Sequence, residues 1–94
     1  MAPEIGLGWY NLGLIRRRQV DLAGALEAYR EARRVQPDHP ETHQNLAVAL
    51  LLGGDIEGAR ASFRQAITLL GAQGRGDEAR RLHQQAGELV KLEA

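Results

Sequence analysis

Apolar residues along this chain recur at intervals of three and four, which is the helical period and not the strand period. Trp9, Leu12, Gly13 and Arg16 fall at i, i+3, i+4 and i+7, predicting a helix from about Ile5 to Arg18. Leu22, Ala25, Leu26, Tyr29 and Ala32 form the next stripe. Asp21 opens it as a side-chain cap, and it runs to Val35 before Pro37 breaks the hydrogen-bond ladder. Pro40 suits the first position of a third helix, with Glu41 behind it where a negative charge favours the helix dipole. Leu46, Ala47 and Leu50 face inward there, and Gly53-Gly54 end it. Asp55 caps a fourth helix whose core stripe is Ile56, Ala59, Phe63, Ala66 and Ile67. Gly71 to Gly76 reads as a glycine-rich loop, after which Asp77 caps a fifth helix to about Leu92. Short connections force antiparallel neighbours, so the layout is hairpin, hairpin, single helix.

The two hairpins are one unit written twice. Trp9, Leu12, Gly13, Ala25, Tyr29 and Ala32 answer to His43, Leu46, Ala47, Ala59, Phe63 and Ala66, each 34 residues on. Asn11/Asn45, Asp21/Asp55 and Gly24/Gly58 repeat identically. A fixed period of this size signals stacked supersecondary units that bury their faces against one another. Small residues at 13/47, 25/59 and 32/66 let helices approach closely, and the aromatics at 29/63 fill the gaps so left.

Trp9-Tyr10-Asn11-Leu12-Gly13, followed by Ala25, Tyr29, Ala32 and Pro37, resembles the tetratricopeptide repeat; Leu46, Ala59, Phe63 and Ala66 match a second copy. The resemblance covers about residues 6 to 73. It implies an all-α fold, a right-handed superhelical array of antiparallel helix hairpins with five helices. The expected organisation is a single domain over residues 1–94, with one repeat at about 6–39, another at about 40–73 and a capping helix at about 77–93. Arg16 stands where the family has an aromatic, His43 where it has Trp and Gly71 where it has Pro. Arg16 is expected to lay its stem on the core with its head in water, and Gly71 to mark the end of the array or a change of pitch. The last helix keeps the family spacing in Ala79, Leu82, His83 and Ala86 but lacks a partner helix. Arg80, Arg81, Gln84, Gln85 and Glu88 supply the polar outer face a terminal cap needs.

In this family the first helix of each hairpin lines a concave groove that holds an extended peptide or a partner helix. Carried over by position, the groove takes Tyr10, Asn11, Leu14 and Arg17 from the first repeat and Gln44, Asn45, Val48 and Leu51 from the second. Arg80, Arg81 and Gln84 follow from the last helix. The resemblance therefore implies a noncatalytic interaction module, a scaffold or adaptor for a protein or peptide partner, and not an enzyme. The subset of the family that grips chaperone tails uses lysines and asparagines. Asn45 matches one of those positions, but Tyr10 and Leu14 replace a Lys and an Asn and hold a carboxylate poorly. An aromatic, leucines and arginines suit an amphipathic partner with acidic character instead. Two alternatives stand beside this reading. The exposed edge of the first helix (Ile5, Leu7, Trp9) could be buried by self-association as a homodimer or by further repeats, or the chain could be the docking arm of a larger multidomain protein or enzyme.

Charge and candidate chemistry narrow the picture. The net charge is zero and there is no cysteine, which removes disulfides and thiolate metal sites. His39 and His43 are four apart, but Pro40 starts the helix after His39, so the pair straddles a junction, and no third ligand is evident. No metal and no cofactor are expected. Arg16-Arg17-Arg18 and Arg30/Arg33/Arg34 are balanced by Glu27, Glu31, Asp38 and Glu41 without interleaved aromatics. They read as a solvated charged face, with no nucleic acid. Arg75-Gly76-Asp77 copies the integrin-binding tripeptide and reads as a loop ending in a cap; the nearby glycines follow no strand, so they form no phosphate loop. Ser62 is the only serine and falls at a core position, which leaves no nucleophile–base arrangement. The longest apolar run, Leu46 to Leu52, is too short to cross a bilayer, and the start Met1-Ala2-Pro3-Glu4 has no secretory pattern. No membrane partner and a cytoplasmic location are expected. Eleven arginines to one lysine, with abundant Ala, Gly and Leu, suggest a GC-rich bacterial genome.

Overall fold

The computed structural model describes residues 3–92. Met1 and Ala2, on which the expectation about the chain's start partly rests, and residue 93 of the expected cap lie outside the described residues, as does Ala94. Five helices follow in order, α1 (Pro3–Arg18), α2 (Leu22–Val35), α3 (Pro40–Leu52), α4 (Ile56–Ala72) and α5 (Gly76–Val90). Each packs on the next in chain order, as expected of an all-α array of antiparallel hairpins. No helix among the described residues is long and apolar enough to cross a membrane.

The doubled pattern supplies much of the core, although Trp9 and Leu12 of the first copy are only half-buried. Tyr29 and Phe63 are buried, and so are Leu46 and the alanines at 25, 32, 47, 59 and 66. The close approach that Gly13 permits is tight: a Cβ there would stand 2.5 Å from Cε1 of Tyr29. Burying an aromatic side chain against such a surface contributes about 2–3 kcal/mol. Ile56 departs from the expected stripe. As the first residue of α4 it remains 41% exposed, and Leu70 completes the core line of Ala59, Phe63 and Ala66 instead.

The helix ends obey the same repeat. Asp21 Oδ1 accepts the amide of Gly24 at 2.9 Å, and Asp55 Oδ1 accepts that of Gly58 at 2.9 Å. Three helices close with one hydrogen-bond pattern. Asp21 N donates to Arg16 O at 2.8 Å, Asp55 N to Leu50 O at 2.9 Å and Arg75 N to Leu70 O at 2.8 Å. The residue before each donor is left-handed: Val20 (φ 61°), Gly54 (φ 88°) and Gly74 (φ 75°). Two glycines occupy that position, and a β-branched valine occupies the third.

Beyond residue 70 the expected boundaries shift. Gly71 and Ala72 belong to α4 and Gly76 to α5, so the loop shrinks to Gln73–Arg75. With no proline at 71, the α4 ladder runs on past the point equivalent to the end of α2. Asp77 is not the cap of α5. Arg75 holds the cap position, and Asp77 in the first turn pairs with Arg80. The helix stops at Val90, not Leu92. Lys91 turns left-handed (φ 54°) and Leu92 folds back into the core, 5% exposed. Arg60 Nε of α4 donates to Val90 O at 2.9 Å and Arg64 Nη2 to Leu92 O at 2.8 Å, satisfying carbonyls at the end of α5. Arg16 also departs from expectation. Its head is not left to water but donates from Nη1 to Gly24 O at 3.0 Å, tying α1 to α2.

Candidate functional site

Polar side chains link α1, α3 and α5 across one side of the stack. Asn45 on α3 is the centre. Its Nδ2 donates to the Tyr10 hydroxyl at 3.0 Å and to Glu41 O at 2.9 Å, while its Oδ1 accepts from Arg17 Nη1 at 3.2 Å. Three bonds from one amide fix its orientation and hold the phenol and the guanidinium of the first repeat in place. The Tyr10 ring meets His39 edge-on, with centroids 5.0 Å apart at 88°, and tilts against Tyr29 at 6.1 Å. Burial pushes the Tyr10 phenol up, the Glu41 carboxylate adds to the rise, and Arg17 opposes it, so the hydroxyl stays protonated.

A second link joins α3 to α5. Arg75 Nη2 stands 2.5 Å from Glu41 Oε2 and 2.5 Å from Glu78 Oε2, with Nε donating to Glu78 at 3.0 Å. The hydrogen bond from Arg75 holds the Glu41 carboxyl below its ordinary value. Glu41, Gln44, Leu70, Glu78, Arg81, Leu82 and Gln85 line a cleft between these helices.

The positions carried over from the repeat pattern separate into groups. Tyr10, Arg17 and Asn45 are brought together by hydrogen bonds. Leu14, Val48 and Leu51 are half-buried apolar side chains packed against the core beside them. Gln44 and Arg81 share the cleft next to α5. Arg80 is exposed and paired with Asp77, and Gln84 is exposed. Asn11 is exposed and outside the linked cluster, although its counterpart Asn45 is the hub. Sequence reasoning missed the Glu41–Arg75–Glu78 bridge and the His39 contact. A signal for the bridge exists, because Arg75 follows Glu41 by the 34-residue period and precedes Glu78 by three.

The remaining candidates have structural partners. His43 Nε2 donates to Pro37 O at 2.7 Å, and His39 Nδ1 shares a hydrogen bond with Thr42 Oγ1 at 2.7 Å. Burial pushes the His43 imidazole below its ordinary value, so it sits neutral in the slot matched to Trp9. Ser62 is buried within α4, and Arg34 is bonded to Glu31 at 2.6 Å.

A family model described as Tetratricopeptide repeat matches residues 2–40 and 10–71. Tetratricopeptide repeat protein 36 of Mus musculus is 38% identical over 73 residues, covering 78% of this chain and 38% of that protein. A TPR repeat-containing protein of Pseudomonas aeruginosa is 43% identical over 68 residues, covering 72% of this chain and 26% of that protein. The probable biofilm formation methyltransferase WspC of Pseudomonas putida is 42% identical over 58 residues, covering 62% of this chain and 14% of that protein. The chain thus spans well under half the length of each of these relatives.

Proposed function

This chain belongs to the tetratricopeptide repeat family, and on that premise we propose that it binds a peptide or helix segment along the concave face lined by α1, α3 and α5. The family supports a protein-interaction or scaffold role in general; the groove and its residues are our reading. The observation that carries it is the fixed cluster of Arg17, Asn45 and Tyr10 beside the half-buried Leu14, Val48 and Leu51. Apolar burial on the leucines and Val48 supplies the affinity. Arg17, which has no ion-pair partner among the described residues, orients an acidic side chain of the ligand. Arg80, Arg81, Gln84 and Gln44 extend the surface towards α5, and Asn11 forms its rim on α1.

The module is read as noncatalytic, with no nucleic acid and no membrane among its partners. Composition carries the proposal that it is a cytoplasmic bacterial protein; the family itself reaches beyond bacteria, since the mouse relative matches over most of this chain. The match to WspC favours a second reading, in which these repeats are the docking arm of a larger enzyme. Both readings use the same groove. Peptides selected from a random display library on the intact chain test it by calorimetry. Tyr10→Ala combined with Val48→Glu is expected to weaken them by at least about 100-fold while the helical melt survives. Unchanged affinity in the folded double variant would contradict the assignment.

A further inference from the structure

A small cleft lies where α2, α3 and α4 meet. Its walls are Arg33 of α2, His43 of α3, and Ala61, Ser62 and Gln65 of α4. Each of these helices has a packed neighbour on both sides. At about 260 Å³ the cleft is smaller than the roughly 300–1,000 Å³ of pockets that enclose drug-sized molecules, and it suits a small ion. It shares no residue with the proposed groove.

The polar groups here depart from the repeat. At the matching positions, 34 residues away, Arg33 answers to Ile67, His43 to Trp9 and Ser62 to Ala28. Ala61 and Gln65 stand where the first repeat carries Glu27 and Glu31, so this wall has lost two carboxylates and gained a hydroxyl and an amide. No carboxylate lines the cleft, in contrast to the clefts at Glu27 and Glu31, at Asp77 and Glu78, and at Glu41 and Glu78. Arg33 has no ion-pair partner among the described residues. Ser62 is only 6% exposed, and its hydroxyl has no hydrogen-bond partner among the described residues. His43 spends Nε2 on Pro37 O, which leaves Nδ1 as a bare acceptor. Burial keeps the ring neutral; the Pro37 bond opposes that effect, and the charges of Arg33 and His39 add to it.

We propose that this cleft binds free hydrogen phosphate. Its oxygens accept from the Arg33 guanidinium, the Ser62 hydroxyl and the Gln65 amide, and its P–OH donates to Nδ1 of His43. The single acceptor among three donors selects between oxyanions. Sulfate and carboxylates carry no proton at neutral pH and set a lone pair against Nδ1. A phosphate monoester, with a second pKa of about 6, is mainly a dianion without P–OH at about pH 7.5. Inorganic phosphate keeps a P–OH in both of its neutral-pH forms. The inference does not depend on the groove, and either can fail alone.

An NMR titration of the intact chain with sodium phosphate, at about pH 7.5 and constant ionic strength, tests it by amide and imidazole shifts. Circular dichroism checks the folding of each variant. Shifts are expected at His43, Ser62 and Gln65 with half-saturation near about 1 mM, as befits a small anion held by a few charge-assisted hydrogen bonds. Sodium sulfate and methyl phosphate should bind at least about 10-fold more weakly. Ser62→Ala, which copies the residue type of Ala28, and Arg33→Gln should each weaken phosphate by about 10-fold or more. Arg30→Gln, outside the cleft, should leave it unchanged. No saturable shift by about 20 mM phosphate overturns the proposal. Equal affinity for phosphate and sulfate, the mark of a nonspecific anion contact, overturns it too. So does binding undiminished by Ser62→Ala and Arg33→Gln.

Discussion

Tyr29 and Phe63 occupy equivalent places in the two repeats and differ by one hydroxyl. That oxygen is buried and finds no hydrogen-bond partner among the described residues. An unsatisfied buried hydroxyl costs about 1–3 kcal/mol, so Tyr29→Phe is expected to stabilise the chain by about 1 kcal/mol, read as a higher urea midpoint. Loss of stability would show that the hydroxyl has a role the geometry does not reveal. Val20 is the other residue at odds with its surroundings. It is left-handed and 88% exposed at a position where the equivalent helix ends carry Gly54 and Gly74. The left-handed conformation costs an L-residue roughly 1–2 kcal/mol, part of which glycine returns through its greater freedom when unfolded. Val20→Gly should therefore raise stability by about 0.5–1 kcal/mol in the same assay. The 34-residue alignment sets Val20 against Gly54, but the strain itself needed backbone angles.

At the scale of the helices, side-chain chemistry that acts within a few residues was legible, and packing across the stack was not. Asp21 and Asp55 cap as expected, and Pro40 starts α3. The glycines at 71 and 76 misled because glycine disfavours a helix interior by only about 1 kcal/mol, which burial of Leu70 and Leu82 outweighs. The closure of α5 by Arg60 and Arg64 joins residues 28 to 30 apart and left no local signal. Two residues near the start of α3 carry the pH dependence. The folded pKa of His43 lies below its ordinary 6.5, so its contribution to stability is present above 6.5 and is lost as pH falls through the folded value. Glu41 is likewise depressed, from 4.5, and its contribution is lost as pH falls through its own lower value. Urea melts across pH are expected to show two successive losses on acidification. His43→Leu should remove the first and leave the second. A loss of stability between pH 6.5 and 4.5 that survives in His43→Leu would contradict this account.

The whole molecule is a stack held together by repeated apolar contacts and by a few polar ties that are not repeated. The repeat pattern was enough to foresee the helices, their order and the burial of the doubled positions other than Trp9 and Leu12, since each of those depends on one unit or its neighbour. It also supplied the groove candidates by position. It did not show that Asn45 binds Tyr10 and Arg17 together while Asn11 stands apart, because identical residues in successive repeats meet different neighbours. Nor did it show that Arg75 bridges Glu41 and Glu78 and so fixes α5 against α3. The central claim is that partners are held on the side where α1, α3 and α5 meet. Its most direct test is an amide NMR titration of the intact chain with a library-selected peptide. The account predicts shift changes concentrated on Tyr10, Leu14, Arg17, Asn45, Val48 and Leu51. Changes concentrated instead on the α2 surface of Ala23, Glu27, Arg30 and Arg34 would contradict it.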